Sequence, residues 1–164
     1  MKLNKTPIRV FCFLHLDVYN MTMTEQDIIL DFDNSVGTED RFAIRRFMNL
    51  FIETVNNGTR EELEELLSDS ITADGFSEFT LQKSQISEMF YKKFYGRRHN
   101  YINMPKLKLT SSKFLFHLNG SYEEYQEGIL SAAGSLDLSV ARQNEKFCVV
   151  SLKFYPRMRL SDDV

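Results

Sequence analysis

The side chains able to do chemistry in this sequence are scattered carboxylates, three histidines and two cysteines, and their spacing excludes more than it allows. His15, His99, His117, Cys12 and Cys148 show no metal-ligand spacing; Cys12 and His15 form a lone pair without partners. There is no Gly-rich phosphate loop and no Gly-x-Ser-x-Gly elbow, which sets aside nucleotide and serine-hydrolase chemistry. The acidic run Glu61, Glu62, Glu64 and Glu65 reads as solvated surface at a helix start, since carboxylates facing water on one helix do not converge on a metal. Lys92, Lys93, Arg97 and Arg98 cluster at a helix end, where cations offset the negative end of the dipole. What remains is a carboxylate sheltered by phenyl rings. Burial among phenylalanines raises a carboxyl pKa and makes such a group a base near neutral pH. Whether any carboxylate is placed that way depends on the elements that carry it.

Composition bounds those elements. The 164 residues fit one domain plus an extension. Twenty basic against 23 acidic side chains leave a net charge of −3, no electrostatic footprint for nucleic acid or an anionic membrane, and neither is an expected partner. Fourteen Phe and seven Tyr without Trp must fill a core, line a pocket or form an interface. Two cysteines make no staple framework and read as reduced thiols, and no apolar stretch is long enough to span a bilayer. The opening Met1 to Leu16 imitates a secretory signal, but His15 interrupts its apolar run and no small-residue cleavage site follows, so a cytoplasmic protein is expected.

Residues 1–37 lack helical periodicity and read as an N-terminal appendage, partly disordered or an alternative-start extension, with Met21 and Met23 as internal starts; residues 38–164 read as the domain. The domain opens with three helices. Thr38, Glu39 and Asp40 begin the first, and Ile44, Phe47, Met48, Phe51, Ile52 and Val55 form its apolar stripe. Asn57-Gly58 stops it, glycine accepting a left-handed conformation there. Thr59 and Glu62 have the spacing of a capping box for the second. After a short strand near residues 71–76, a third runs from Leu81 to Tyr95 with Ile86, Met89, Phe90 and Phe94 inward. Four strands follow, His99–Thr110, Lys113–Glu124, Ser131–Arg142 and Lys146–Tyr155. Asn119-Gly120 is read as a bulge inside one long bent strand rather than a hairpin, and Pro105 marks an edge or an irregularity. The fold class is therefore α+β, a cone-shaped body of three N-terminal helices packed on a curved antiparallel sheet.

The facing of the last strands turns on one hairpin. If Asn144-Glu145 is a two-residue loop, Gln143 pairs with Lys146, Ala141 with Cys148 and Asp137 with Leu152. That register turns Asp137 and Ser139 inward, whereas the hydrophobic alternation of Leu136, Leu138 and Val140 alone, or a three-residue turn, puts Asp137 outside. The two-residue register also turns Leu136, Leu138, Val140, Phe147 and Val149 outward, an apolar sheet face that a second copy would cover in a two-fold homodimer.

The order of helix, Val55-Asn-Asn-Gly58, acidic second helix, Leu67-Ser-Asp-Ser-Ile-Thr-Ala-Asp74, third helix and four long strands resembles the NTF2-like (cystatin-like) superfamily, including its SnoaL-like and ketosteroid-isomerase members, over Arg41 to Tyr155. The resemblance implies catalytic roles for two residues: Asp74 falls where the isomerases carry their proton-moving carboxylate, and Asp137, in Ser135-Leu-Asp-Leu, where they carry a second, protonated Asp. Phe51 stands where their oxyanion tyrosine would be, and a phenyl ring cannot donate that bond; Gly75-Phe76 replaces the proline that often follows the base. The function this implies is binding of a small apolar or aromatic ligand in a pocket lined by Phe47, Phe51, Phe76, Phe90, Phe94, His117 and Tyr122, with cofactor-free proton transfer of isomerase, cyclase or dehydratase type. The alternative is a non-catalytic, dimeric interaction module in which those aromatics simply pack. No metal or cofactor is expected, and the expected partners are a small hydrophobic molecule and a second copy of the chain.

Overall fold

The computed structural model describes residues 28–74 and 81–159, and of Asp74, Met158 and Arg159 the backbone alone. Among the described residues the first element is β1 (Ile29–Phe32), followed by α1 (Thr38–Asn57), α2 (Arg60–Leu66), β2 (Leu67–Asp74), α3 (Lys83–Phe94), β3 (Tyr101–Asn103), β4 (Lys106–Ser112), β5 (Leu115–Gln126), β6 (Ile129–Gln143) and β7 (Lys146–Arg159). Ile28, Leu30 and Val36 join the core, so packed structure extends ahead of Thr38.

The helices follow their apolar periodicity. Ile44, Phe47, Met48, Phe51 and Val55 bury one stripe of α1, and Glu39 and Asp40 occupy its first turn. Its cap is Gly37, with no side-chain bond. Gly58, expected to be left-handed, is extended at φ −79°; a Cβ there would meet Thr54 Cγ2 at 2.6 Å and the Thr54 carbonyl oxygen at 2.7 Å. Close approach, not left-handed freedom, is what requires glycine. The capping box of α2 closes as its spacing implies: Glu62 N–H donates to Thr59 Oγ1 at 3.3 Å, and Thr59 N–H donates to Glu62 Oε2 at 2.8 Å. In α3, Ile86, Phe90 and Phe94 face the core.

The strands form one sheet in the order β1-β4-β5-β6-β7-β2, with β3 also on β5. Its middle is antiparallel, but β1 runs parallel to β4 and β2 parallel to β7. The sheet is therefore mixed rather than antiparallel throughout, and the helices are not all N-terminal, since β1 precedes α1 and β2 separates α2 from α3. Parallel neighbours need long crossovers, which the helical half of the chain supplies to both edges. The stretch expected as one strand breaks at Met104-Pro105, whose Pro105 carbonyl accepts from Ile29 N–H at 3.1 Å. β5 passes straight through Asn119-Gly120 without a hairpin, and its register with β6 is unbroken there, so the expected bulge lies elsewhere. Gly120 admits the Lys106 carbonyl oxygen to 2.1 Å from where a Cβ would stand.

The decisive irregularity is in β7. Asn144 and Glu145 form a two-residue turn with positive φ at both (49° and 64°), and Gln143 pairs with Lys146 and Ala141 with Cys148 as that turn dictates. Val140 then pairs with Val149 but Ser139 with Ser151, leaving Val150 as an extra residue. From Ser139 back to Gly134 every pairing is moved by one, so Asp137 meets Lys153 and not Leu152. The inward facing of Asp137 and Ser139 expected from the turn is thereby overturned. Leu136, Leu138, Val140 and Val149 are at most 1% exposed in the core, and Phe147 packs partly buried against it, so they are not an outer apolar face. One inner row across the sheet now reads Phe32, Leu109, Leu118, Leu138, Leu152 and Ala73.

Candidate functional site

Two regions hold the residues singled out by sequence, the space between helices and sheet and the sheet's outer face. In the first, Phe47 stacks on Phe51 with ring centres 6.4 Å apart, and Phe90 on Phe94 at 6.0 Å. Phe51, Phe90 and Phe94 are at most 1% exposed. Tyr122 lies on the same inner face, buried, edge-on to Phe154 with ring centres 4.8 Å apart. Phe76 lies outside the described residues.

The second region takes the polar groups. His117 points away from the phenyl rings, its Nδ1 3.1 Å from Ser139 Oγ, and does not line the interior with them. Asp137 shares that outer face, half-buried, and accepts a short hydrogen bond from Asn119 Nδ2. Asp74 ends β2 beside Lys153 in the register, and only its backbone is described. The two aspartates thus occupy β2 and β6 with β7 between them, and the acid–base pairing inside an apolar hollow loses Asp137.

Sequence reasoning missed Glu124. It has the parity of Phe116, Leu118 and Tyr122 along β5, which is the signal that could have found it. Its side chain is 10% exposed and forms an ion pair with Lys93 Nζ at 2.6 Å. Gln126 Nε2 donates to the same oxygen, Oε1, at 3.3 Å, and the Ser131 hydroxyl donates to the Glu124 carbonyl oxygen at 3.1 Å. The carboxylate, shared by an ammonium and an amide, ties the last turn of α3 to β5, and the Ser131 hydroxyl ties β6 to β5.

No family model matches the chain, and no curated protein does. Solved structures do. A protein of unknown function with a cystatin-like fold from Nostoc punctiforme is 12% identical, with 74% of this chain and 94% of that one covered and a TM-score of 0.59. An NTF-2 like protein of unknown function from Silicibacter pomeroyi is 13% identical, covering 74% and 100%, with a TM-score of 0.57. A protein named after scytalone dehydratase from Novosphingobium aromaticivorans is 12% identical, covering 77% and 89%, with a TM-score of 0.62. The chain has the NTF2-like fold.

Within this NTF2-like body the groups with displaced titration are structural. Glu64 is held below the usual carboxylate range by the Ser87 hydroxyl, which donates at 2.7 Å, and by Arg60 at 3.0 Å. Burial pushes the Cys148 thiol up, and the Glu123 carboxylate, accepting at 3.0 Å, pushes Tyr125 up. No three His, Cys, Asp or Glu side chains converge as a metal site among the described residues. An open groove of about 340 Å³ lies between α1 and α2, lined by Leu50, Glu53, Thr54, Asn57, Glu62 and Leu66 among others. Among the described residues no helix is long and apolar enough to cross a membrane.

Proposed function

We propose that this chain is a non-catalytic, self-associating interaction module of the NTF2-like fold. The observation that supports the reading is the close burial of three of the aromatic side chains expected to line a ligand hollow, Phe51, Phe90 and Phe94, each at most 1% exposed. The polar groups that would do chemistry, Asp137 and His117, sit on the opposite face of the sheet, where a second copy would meet them. Native mass spectrometry of gently purified full-length chain tests this. A dimer without adduct is expected; a hydrophobe carried through in stoichiometric amount overturns the reading.

A second reading, binding of a small hydrophobic molecule with cofactor-free proton transfer, takes its support from the place of Asp74 at the end of β2 and from the fold shared with the protein named after scytalone dehydratase. It rests on Asp74 alone, with no help from Asp137. A co-purifying hydrophobe that is lost in Phe90→Trp, or a turnover that is lost in Asp74→Asn, would decide for it.

A further inference from the structure

The open groove between α1 and α2 has a one-sided chemistry. Leu50, half exposed, and Leu66, partly buried, supply apolar surface, and Glu53, Glu62 and Glu65 supply three carboxylates. No lysine, arginine or histidine lines it, and among the described residues neither Glu53 nor Glu65 forms an ion pair. α1 ends at Asn57 with no basic residue in its last turn, so the negative end of its dipole adds to those carboxylates instead of being offset. At about 340 Å³ the groove has room for a few side chains of an extended segment and not for a folded partner.

Such a groove calls for a segment that combines cations with apolar side chains, and this chain carries one. Met1 to Leu16 contains Lys2, Lys5 and Arg9, no acidic residue, and the apolar Ile8, Val10, Phe11, Phe13 and Leu14. It belongs to residues 1–27, outside the described residues, and the described chain begins close to the groove. Ile29 N–H donates to the Pro105 carbonyl at 3.1 Å, and β1 runs parallel to β4, which puts Ile28 on the Met104 side of Pro105. Three residues before Pro105, the Ile102 carbonyl accepts from Asn56 Nδ2 at 2.9 Å and Ile102 N–H donates to Asn56 Oδ1 at 2.8 Å. Asn57, the next residue, lines the groove. Three residues of strand span about 10 Å, whereas the chain from Leu14 to Ile28 reaches up to about 45 Å. A tether of that length holds the segment at an effective concentration on the order of millimolar, so contacts too weak to hold a separate peptide suffice.

We propose that the segment Lys5–Leu14 of this chain seats in the groove between α1 and α2, with Lys5 and Arg9 against Glu53 and Glu65 and its apolar side chains on Leu50 and Leu66. The seat does not depend on the self-association proposed above. Exposed ion pairs contribute little strength singly but oppose wrong placements, so the charges fix how the segment lies and the apolar contact supplies the attraction.

The segment carries its own probe, Cys12, while Cys148 is buried, its thiol pushed up by that burial, and is slow to compete. In the full-length chain Asn57→Cys sets a thiol in the groove, and Phe114→Cys sets one on the β4–β5 turn, where Phe114 is 83% exposed. Oxidised glutathione is added, and mass spectrometry without reductant follows the disulfide to Cys12, with urea midpoints to show that each variant folds. Intramolecular linkage is expected at least tenfold faster in Asn57→Cys than in Phe114→Cys. Lys5→Glu with Arg9→Glu abolishes that difference, and adding Glu53→Lys with Glu65→Lys restores most of it. Equal rates at the two positions overturn the proposal, as does a difference indifferent to the charge reversals. Linkage found only between two chains assigns the groove to the segment of a second copy and overturns the intramolecular seat.

Discussion

Leu138 and Asp137 are adjacent in β6, and alanine at each measures which one the core contains. Leu138 is 1% exposed in a row with Leu109, Leu118 and Leu152. Truncating a leucine so enclosed loses the transfer free energy of its methyl and methylene groups and leaves a cavity, together about 3–5 kcal/mol. Asp137→Ala gives up one hydrogen bond from Asn119 and a cross-strand neighbour, Lys153, at a partly exposed site, about 0.5–1 kcal/mol. The gap between neighbours is therefore at least about 2 kcal/mol, against a total stability of roughly 5–15 kcal/mol for a domain. Urea unfolding followed by circular dichroism reads it directly: with an unchanged slope, the midpoint of Leu138→Ala falls by about 1–2 M and that of Asp137→Ala by a few tenths. If both midpoints move equally, or if Asp137→Ala moves further, the bulge at Val150 does not set the facing of this strand and the account of the core is wrong.

Gly120→Ala drives a Cβ onto the Lys106 carbonyl oxygen and is expected to loosen β4 from β5, costing about 2–3 kcal/mol and raising amide hydrogen exchange at Leu107 and Leu109. Thr59→Ala removes the cap of α2 and should lower stability by about 1 kcal/mol in the same urea assay. Glu64 has a folded pKa below its ordinary 4.5, so its contribution is present above that value and is lost as pH falls through the folded value. Ser87→Ala, which removes the larger of the two causes, should flatten the acid side of the urea-midpoint profile, and an unchanged profile would count against that assignment. Cys148, buried and with its pKa raised, should react with a thiol reagent only as fast as the chain opens, and a fast native reaction would contradict its burial.

What the sequence made legible follows from the range of each signal. The helices were readable because their evidence is local: a stripe at 3.6-residue spacing in α1 and α3, and Thr59 with Glu62 at the head of α2. The two edge strands were harder. β1 is four residues long and gains its place only from Lys106–Leu109 far along the chain, while the parallel pairing of β2 with β7 depends on a crossover that no local pattern records. Composition allowed a packed core and a lined pocket equally, since both call for the same phenylalanines, and how far Phe51, Phe90 and Phe94 are buried is a property of the fold that composition does not record.

The expected facing of Asp137 failed at a single residue. Counting back from Asn144-Glu145 gave the correct pairs as far as Ala141 with Cys148, and hydrophobic alternation of Leu136, Leu138 and Val140 gave the opposite facing. The two readings conflicted because each assumed a regular ladder. A strand whose turn and whose apolar parity disagree by one has room for one extra residue, and burying leucines in place of an aspartate favours inserting it between them. The conflict itself was thus the evidence for a bulge in β7 opposite Val140 and Ser139, and resolving it that way returns Asp137 to the outer face with Asn119 and Lys153. Parity along β5 would by the same reasoning have shown Glu124 inward with Tyr122, and a buried glutamate calls for a cation, which Lys93 at the end of α3 provides.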